Sequence, residues 1–444
     1  MTTALQITGP RGHPILGHSL ELNRDPLGFL LRCARDYGDF VPLRSGPARA
    51  FLVSDPQAIE EVFVTQHPNF IKGPGLRRSA AVFGNGLLTS EGAFWRRQRK
   101  LVQPAFHRER IAGYAPVMVA ETLRRMETWQ EGDVRDIHAE MMPLMLQIAV
   151  KTLFGTEVAE AQRVADAMEV GQENFARWMG YLAMLPDWLP TPTPPSLGRA
   201  VRQLDAVVYG LIRARRESGE DRGDLLSLLL RAQDEDDGTR MTDKQLRDEI
   251  LTLLLAGHET TALALTWAFT LLAQHPEASA RLIEELRTVL NGRPPTAEAR
   301  PRLVYAEQVI LESMRLYPPA WAVSRTALAD CEIAGHSIPA GATVLMSQYV
   351  VHRDPRFFPD PETFRPERWA SGFARTLPRY AYFPFGGGPR ICIGNTFALM
   401  EAVLVLATIA QQFRFTLVPG HPIVPHPAVT LRPRYGVRMV FHRP

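Results

Sequence analysis

The chain has 444 residues, of which 45% are hydrophobic and 22% charged, so it carries enough apolar side chains to bury a large core. Its 50 Lys and Arg against 47 Asp and Glu leave a net charge of only +3. With no basic block and no interleaved aromatic stripe, this argues against a nucleic-acid partner.

Three cysteines, Cys33, Cys331 and Cys392, are an odd number without C-x-x-C spacing, which fits neither a disulfide framework nor a zinc site. Read as reduced thiols, they predict a cytoplasmic protein. Residues 1–20 have neither the basic nor the apolar region of a signal peptide, and no uninterrupted apolar run reaches the ~18 residues of a membrane span. A chain without a transmembrane anchor is expected. Its 36 prolines are scattered and no linker or repeat divides it, so 1–444 reads as a single domain.

In chain order, Phe40–Leu43 and Ala50–Val53 read as a strand pair across Ser45-Gly46-Pro47. Pro56 to Val64 follows as a short helix with Asp55 as its cap. Residues from about 70 to 91 hold many glycines and no sustained period, and are predicted to be loop. A helix begins at Phe94-Trp95-Arg96-Arg97-Gln98-Arg99-Lys100; Trp95 and Arg99 share one face, Arg96 and Lys100 another. Alone, such a charge run more commonly means an ordinary basic surface helix.

Helical patterns fill about 117–230, broken by the proline-rich Trp188–Pro195. Apolar Phe175, Trp178, Met179, Tyr181, Leu182 and Met184 precede that break. Thr242-Asp243-Lys244-Gln245 then has the capping-box form and Pro276 closes the run, which predicts a helix roughly 50 Å long. Its centre, Ala256-Gly257-His258-Glu259-Thr260-Thr261, puts glycine and paired threonines where they weaken a helix. Threonine can bond back to the preceding turn and kink it, with or without chemistry.

Glu312 and Arg315 are helical neighbours before the stop Pro318-Pro319, and Phe364–Trp369 supplies Arg368. Ala320–Arg325 reads as an apolar strand ending in a charge, with further β-like pieces at Glu332–Ile338 and Ala342–Met346. Finally, Phe385-Gly386-Gly387-Gly388-Pro389-Arg390-Ile391-Cys392-Ile393-Gly394 opens an apolar helix, Asn395 to Phe413. A cysteine at a helix start gains from the dipole and from unpaired N–H groups, which favours the thiolate a metal needs. The plain alternative is a buried free cysteine beside a glycine turn.

The pattern F-x-x-G-x-R-x-C-x-G around Cys392, A-G-x-[DE]-T-[TS] at Ala256–Thr261, E-x-x-R at Glu312–Arg315 and W-x-x-x-R at Trp95–Arg99 together resemble the cytochrome P450 family. Those motifs and the chain's later resemblances run from Trp95 to Arg432. The resemblance implies a mainly α fold with a smaller β-rich part. The β-rich parts would be about 38–54, 320–350 and 415–444, the helix-rich parts about 94–319 and 395–413. Haem b would lie between the long central helix and the Cys-loop helix.

It implies that Cys392 is the axial thiolate, shielded by Phe385, with Gly388 and Gly394 letting backbone lie against the cofactor. Arg390, Trp95, Arg99 and Arg325 would meet its carboxylates. Ala256 and Gly257 would leave room for dioxygen, and Glu259 and Thr260 would manage protons. Glu312, Arg315 and Arg368 would form a buried structural triad. Ala322 or Val323 would line the distal pocket, Ala428–Leu431 would dip into the substrate cavity, and the stretch before Pro195 would be a mobile lid.

The expected reaction inserts one oxygen atom of O2 into a lipophilic small molecule such as a fatty acid or a terpenoid. No flavin or iron–sulfur motif is present, so electrons are expected from a ferredoxin or flavodoxin with its NAD(P)H reductase. A monomer is expected. Two rival readings are a peroxide-driven haem-thiolate peroxygenase or isomerase, and a haem gas sensor without turnover. The Glu259-Thr260 pair speaks against both.

Overall fold

A computed structural model describes residues 8–155, 194–234 and 238–443. Strands β1 (Phe40–Ser45) and β2 (Ala48–Val53) pair antiparallel, with Gly46 at φ +54° in the turn between them. That sign of φ suits glycine. Strands β3 (Phe70–Lys72), β5 (Val323–Ala327) and β8 (Thr343–Met346) complete a sheet of order β1-β2-β8-β5-β3. The Asp55 carboxylate caps the Pro56–Glu60 helix by accepting from Ala58 N at 2.8 Å, and a π-helical turn, Glu61–Thr65, continues it.

The stretch predicted to be loop, about 70–91, instead holds β3 and two short helices, Pro74–Arg78 and Ala80–Phe83. The register Phe70↔Ala327, Ile71↔Thr326, Lys72↔Arg325 explains the miss. This strand exists because a partner more than 250 residues away completes its hydrogen bonds, and a local period cannot report that. The later strand starts at Val323, after the Pro318-Pro319 stop, and runs to Ala327.

The rest is mainly helical. The central helix, Asp243–Gln274, is roughly 48 Å long at 1.5 Å per residue. Its capping box is formed as predicted: Thr242 Oγ1 accepts from Gln245 N at 3.2 Å and Gln245 Oε1 accepts from Thr242 N at 2.8 Å. Among the described residues it is the one helix long and apolar enough to cross a membrane. His258 and Glu259 interrupt it, so a search for an unbroken apolar run overlooks it, and 78% of its apolar window is buried inside the protein.

The helices Arg108–Met126, Ile137–Phe154, Val304–Leu316 and Asn395–Ala410 pack with it around one large core. Trp129 closes that core, meeting the rings of Phe413 and Phe441 edge-on at 5.3 and 4.9 Å. Beside it strands β4 (Val134–Asp136), β9 (Arg414–Leu417) and β12 (Arg438–His442) form a second sheet, order β4-β12-β9. Two hairpins remain: β6 (Cys331–Ile333) with β7 (His336–Ile338), and β10 (Pro425–Pro427) with β11 (Leu431–Pro433). The apolar stretch 175–184 and the proline-rich run up to 193 lie outside the described residues; Pro195 opens the helix Pro195–Ser218.

Candidate active site

The Phe385–Gly394 loop delivers Cys392 to a position just before the Asn395–Ala410 helix. Cys392 N donates to Phe385 O at 3.0 Å, which closes the loop on itself. Gly388 has φ +63°, and a Cβ there would lie 1.8 Å from the Phe63 carbonyl oxygen. Glycine is demanded here by backbone packing on the Glu61–Thr65 turn, a reason the sequence does not reveal. Gly394 differs: the nearest atoms to a Cβ would be Phe106 at 3.8 Å and Cys392 Sγ at 4.0 Å, so the space beside the thiol stays open.

Cys392 keeps access to solvent although protein closely surrounds its side chain. Enclosure pushes its pKa up, against the Gly394 N–H and the Arg99 guanidinium. The expectation that the helix start alone favours the thiolate is therefore corrected, because desolvation outweighs it. A bound metal ion's own charge is what deprotonates a ligating thiol.

The central helix and the Cys392 helix meet where Thr261 faces Glu401. Toward their N-termini both present open surface. Ala256 is exposed and a Cβ on Gly257 would meet nothing within 4 Å, in a helix otherwise largely buried. The Thr260 and Thr261 hydroxyls bond back to Ala256 O and Gly257 O at 2.7 and 3.2 Å, and the helix runs through unbroken. Glu259 is buried. Its Oε1 accepts from Thr430 Oγ1 and from Arg432 Nη2, both at 2.6 Å. Nothing local in the sequence pairs residues some 170 positions apart, and both partners were missed.

On one flank cations gather. Arg390 donates to Ser90 O at 2.9 Å, pairs with Glu91 and lies 3.8 Å over the Trp95 ring. The carboxylate that Arg390 meets within the chain is that of Glu91. Arg99 donates to Ile391 O at 2.9 Å, gripping the Cys loop itself. Lys72, opposite Arg325 in the β3–β5 register, is buried; its Nζ donates to Leu87 O at 2.8 Å and to Leu88 O. Burial and the nearby Arg390 push the pKa of Lys72 down to about 6 and that of Arg325 to about 10. A cavity of about 180 Å³ opens between Phe63, Glu91, Trp95, Arg325 and Arg390. Lys72 and Glu91 are further residues that sequence reading did not single out.

This arrangement fits a haem. Arg325 and Arg390 lie by Glu91 with Arg99 close to Arg390, an excess of positive charge among the arginines that suits a cofactor bearing two carboxylates, and buried Lys72 adjoins them as a further donor. Among the described residues no group of three or more His, Cys, Asp and Glu side chains could cage a metal ion. An iron on Cys392 has to bring its other ligands with it, as a porphyrin does.

The third constellation is fully formed. Arg315 Nε and Nη2 meet Glu312 Oε2 and Oε1 at 2.9 Å each, and Arg368 Nε reaches Oε1 at 3.2 Å. Trp369 Nε1 donates to the same carboxylate at 2.9 Å, a fourth member the motif does not contain.

Glu401 stands apart. It is buried on the apolar Cys392 helix, and neither oxygen has a well-formed hydrogen bond, although Thr261 is close. Burial pushes its pKa up to about 8, opposed by Thr261. Because this folded value exceeds the unfolded value of about 4.3, the native state holds an extra proton between them. Glu401 therefore subtracts from stability as pH rises through that window, by up to about 1.4 kcal/mol per pH unit. Glu401→Gln is expected to gain stability relative to the parent between pH 5 and 8. A variant-minus-parent difference in Tm that stays flat across that range contradicts this assignment.

Residues 7–438 match the family model described as Cytochrome P450. The chain is 40% identical to the cyclooctat-9-en-7-ol 5-monooxygenase of Streptomyces melanosporofaciens, covering 93% of this chain and 90% of that one. It is 37% identical to the pentalenene oxygenase of Streptomyces avermitilis, covering 94% and 93%. A solved structure of a retinoic acid-bound cyanobacterial protein, CYP120A1, superposes with a TM-score of 0.87 at 29% identity over 98% of both chains. The motifs, the mainly helical fold with small sheets and these matches agree: the chain belongs to the cytochrome P450 family and is a P450 monooxygenase.

Proposed function

We propose that this monooxygenase hydroxylates or epoxidises a compact cyclic terpenoid, acting as a monomeric single-domain protein. The balance is substrate, O2, two electrons and two protons going to oxygenated substrate and water. Haem b held by Cys392 would supply the reductive activation of O2. Lys72, Arg99, Arg325 and Arg390, with Trp95, would hold its carboxylates; Phe385 would keep water from the sulfur. Ala256, Gly257 and Gly394 would leave it room.

The observation that carries the reading is Cys392 at the start of a helix that packs with the central helix, where Ala256 and Gly257 leave open surface beside the Thr260 hydroxyl and the buried acid Glu259 precedes it in the chain. Thr260 would hold a proton at Oγ1 and Glu259 would replenish it. The substrate class rests on the relatives, whose names specify cyclooctat-9-en-7-ol and pentalenene.

The test is turnover of these two compounds with NADPH, a surrogate ferredoxin and its reductase, followed by product analysis. Absence of any oxygenated product from a panel of such ring systems sinks the substrate class. In the same assay Thr260→Ala is expected to raise hydrogen peroxide per electron consumed several-fold, with haem content and substrate affinity near the parent's. An unchanged ratio of product to peroxide removes Thr260 from the proton path.

Electrons are proposed to arrive at the Gly92–Val102 helix, which Arg99 ties to the Cys loop. Arg96 and Lys100 are exposed there while Trp95 and Gln98 face inward. Arg97 is engaged by Asp234 at 2.7 Å. A basic face suits an acidic ferredoxin, and such attraction acts mainly on association rate. Arg96→Glu with Lys100→Glu is expected to slow reduction by ferredoxin about tenfold or more at low salt, less near 0.1 M where the Debye length is ~10 Å. Reduction by dithionite serves as the control. Equal ferredoxin rates in parent and variant place the docking face elsewhere.

A further inference from the structure

Glu259 is turned away from the residue it would serve. Successive helical residues are rotated by about 100°, and here the two side chains take separate partners. Thr260 Oγ1 donates to Ala256 O, while the Glu259 carboxylate points to the β10–β11 hairpin. That hairpin is stitched along the same face of the central helix. Trp267, two turns on from Glu259, donates from Nε1 to Leu431 O at 2.9 Å, and Leu431 N donates to Pro319 O at 2.9 Å. Thr430 and Arg432 flank Leu431 and both reach Glu259.

The grip is of a releasable kind. Arg432 meets Glu259 through Nη2 alone, and its buried Nε has no hydrogen-bond partner. The Glu312–Arg315 pair, by contrast, is a two-pronged fork with both side chains wholly buried. At the hairpin turn Val429 is 50% exposed, an apolar side chain immediately before Thr430. Other charged or titratable groups facing this cluster include His138 and Asp136 at the start of the Ile137–Phe154 helix, His258 on the central helix, and His426 with Arg434 beside Arg432.

We propose that Arg432 and Thr430 are positioning residues that hold the Glu259 carboxylate off Thr260 in the resting enzyme, and that an apolar substrate pressing on the Val429 turn releases it. Proton supply is thereby tied to substrate occupancy through this hairpin. The inference rests on the monooxygenase reading above and extends it to how that reaction is gated.

Two measurements test it. The first needs no turnover: thermal unfolding of haem-loaded protein carrying Glu259→Gln, Arg432→Gln, or both. Without substrate, the two single losses in Tm are expected to sum to clearly more than the loss in the double variant. With saturating pentalenene or cyclooctat-9-en-7-ol bound, that excess is expected to shrink or vanish. Additive losses without substrate, or an excess that substrate leaves intact, overturn the latch whatever the fate of the monooxygenase reading.

The second is the ratio of NADPH to O2 consumed without substrate. Two-electron reduction to hydrogen peroxide uses about one NADPH per O2; four-electron reduction to water uses about two. The parent is expected near one and Arg432→Gln shifted toward two. Arg432→Lys should remain parent-like, and the double variant with Glu259→Gln should return to one. If Arg432→Gln does not fold, Thr430→Val loses one of the two ties and should shift the ratio in the same direction by less. A ratio unmoved by these variants, or one that stays high without Glu259, makes Arg432 a structural tie only.

Discussion

Arg315→Ala is expected to abolish recovery of folded, haem-binding protein. Arg315 is wholly buried and spends its guanidinium on Glu312, on His352 O at 3.0 Å, on Pro361 O at 2.6 Å and on Thr363 O at 3.1 Å. Truncation leaves the Glu312 carboxylate with Arg368 and Trp369 but without its two-pronged partner, and strands three carbonyls, of which that of His352 is buried. Removing one member of a buried ion pair costs about 3–5 kcal/mol, against a total stability of roughly 5–15 kcal/mol. Arg315→Lys should rescue little, because one ammonium cannot serve a planar fork and three carbonyls together. Soluble yield and the urea midpoint decide it: a midpoint equal to the parent's would show that the triad does not hold the fold.

The same cluster illustrates what a sequence can and cannot carry. Glu312 and Arg315 are legible as a pair because a helix brings residues three apart together. Arg368 joins them only through the resemblance, and Trp369 is invisible until the chain between them is folded. Likewise the capping box at Thr242 is local and readable, whereas β3 depends on β5 for its existence. At the site, Cys392 stands just before the Asn395–Ala410 helix, and Ala256, Gly257, Glu259 and Thr260 lie on the central helix that packs with it. The partners that set their behaviour come from elsewhere: Lys72 and Glu91 beside Arg390, and Thr430 and Arg432 on Glu259. The Cys392 thiol shows the limit most sharply. Position at a helix start argues for the thiolate, and only the enclosing walls reveal that desolvation wins.

Substitution of Cys392 is the second large effect. Haem-thiolate ligation is set by this one side chain, and neither of the other cysteines lies there. Cys33 is buried where the Pro26–Tyr37 helix packs on β1 and β2, and Cys331 opens β6. Histidine at position 392 can still bind iron through a neutral nitrogen, and the cations around Glu91 remain to hold carboxylates. Some haem should therefore stay bound while the electronic push of the sulfur is lost. Oxygenation of any substrate is expected to fall below detection. The measurement that bears most directly on this account is the optical spectrum of the reduced carbon monoxide complex. The parent is predicted to show the red-shifted Soret band of thiolate ligation and Cys392→His to lack it; a variant that retains the band would contradict Cys392 as the ligand.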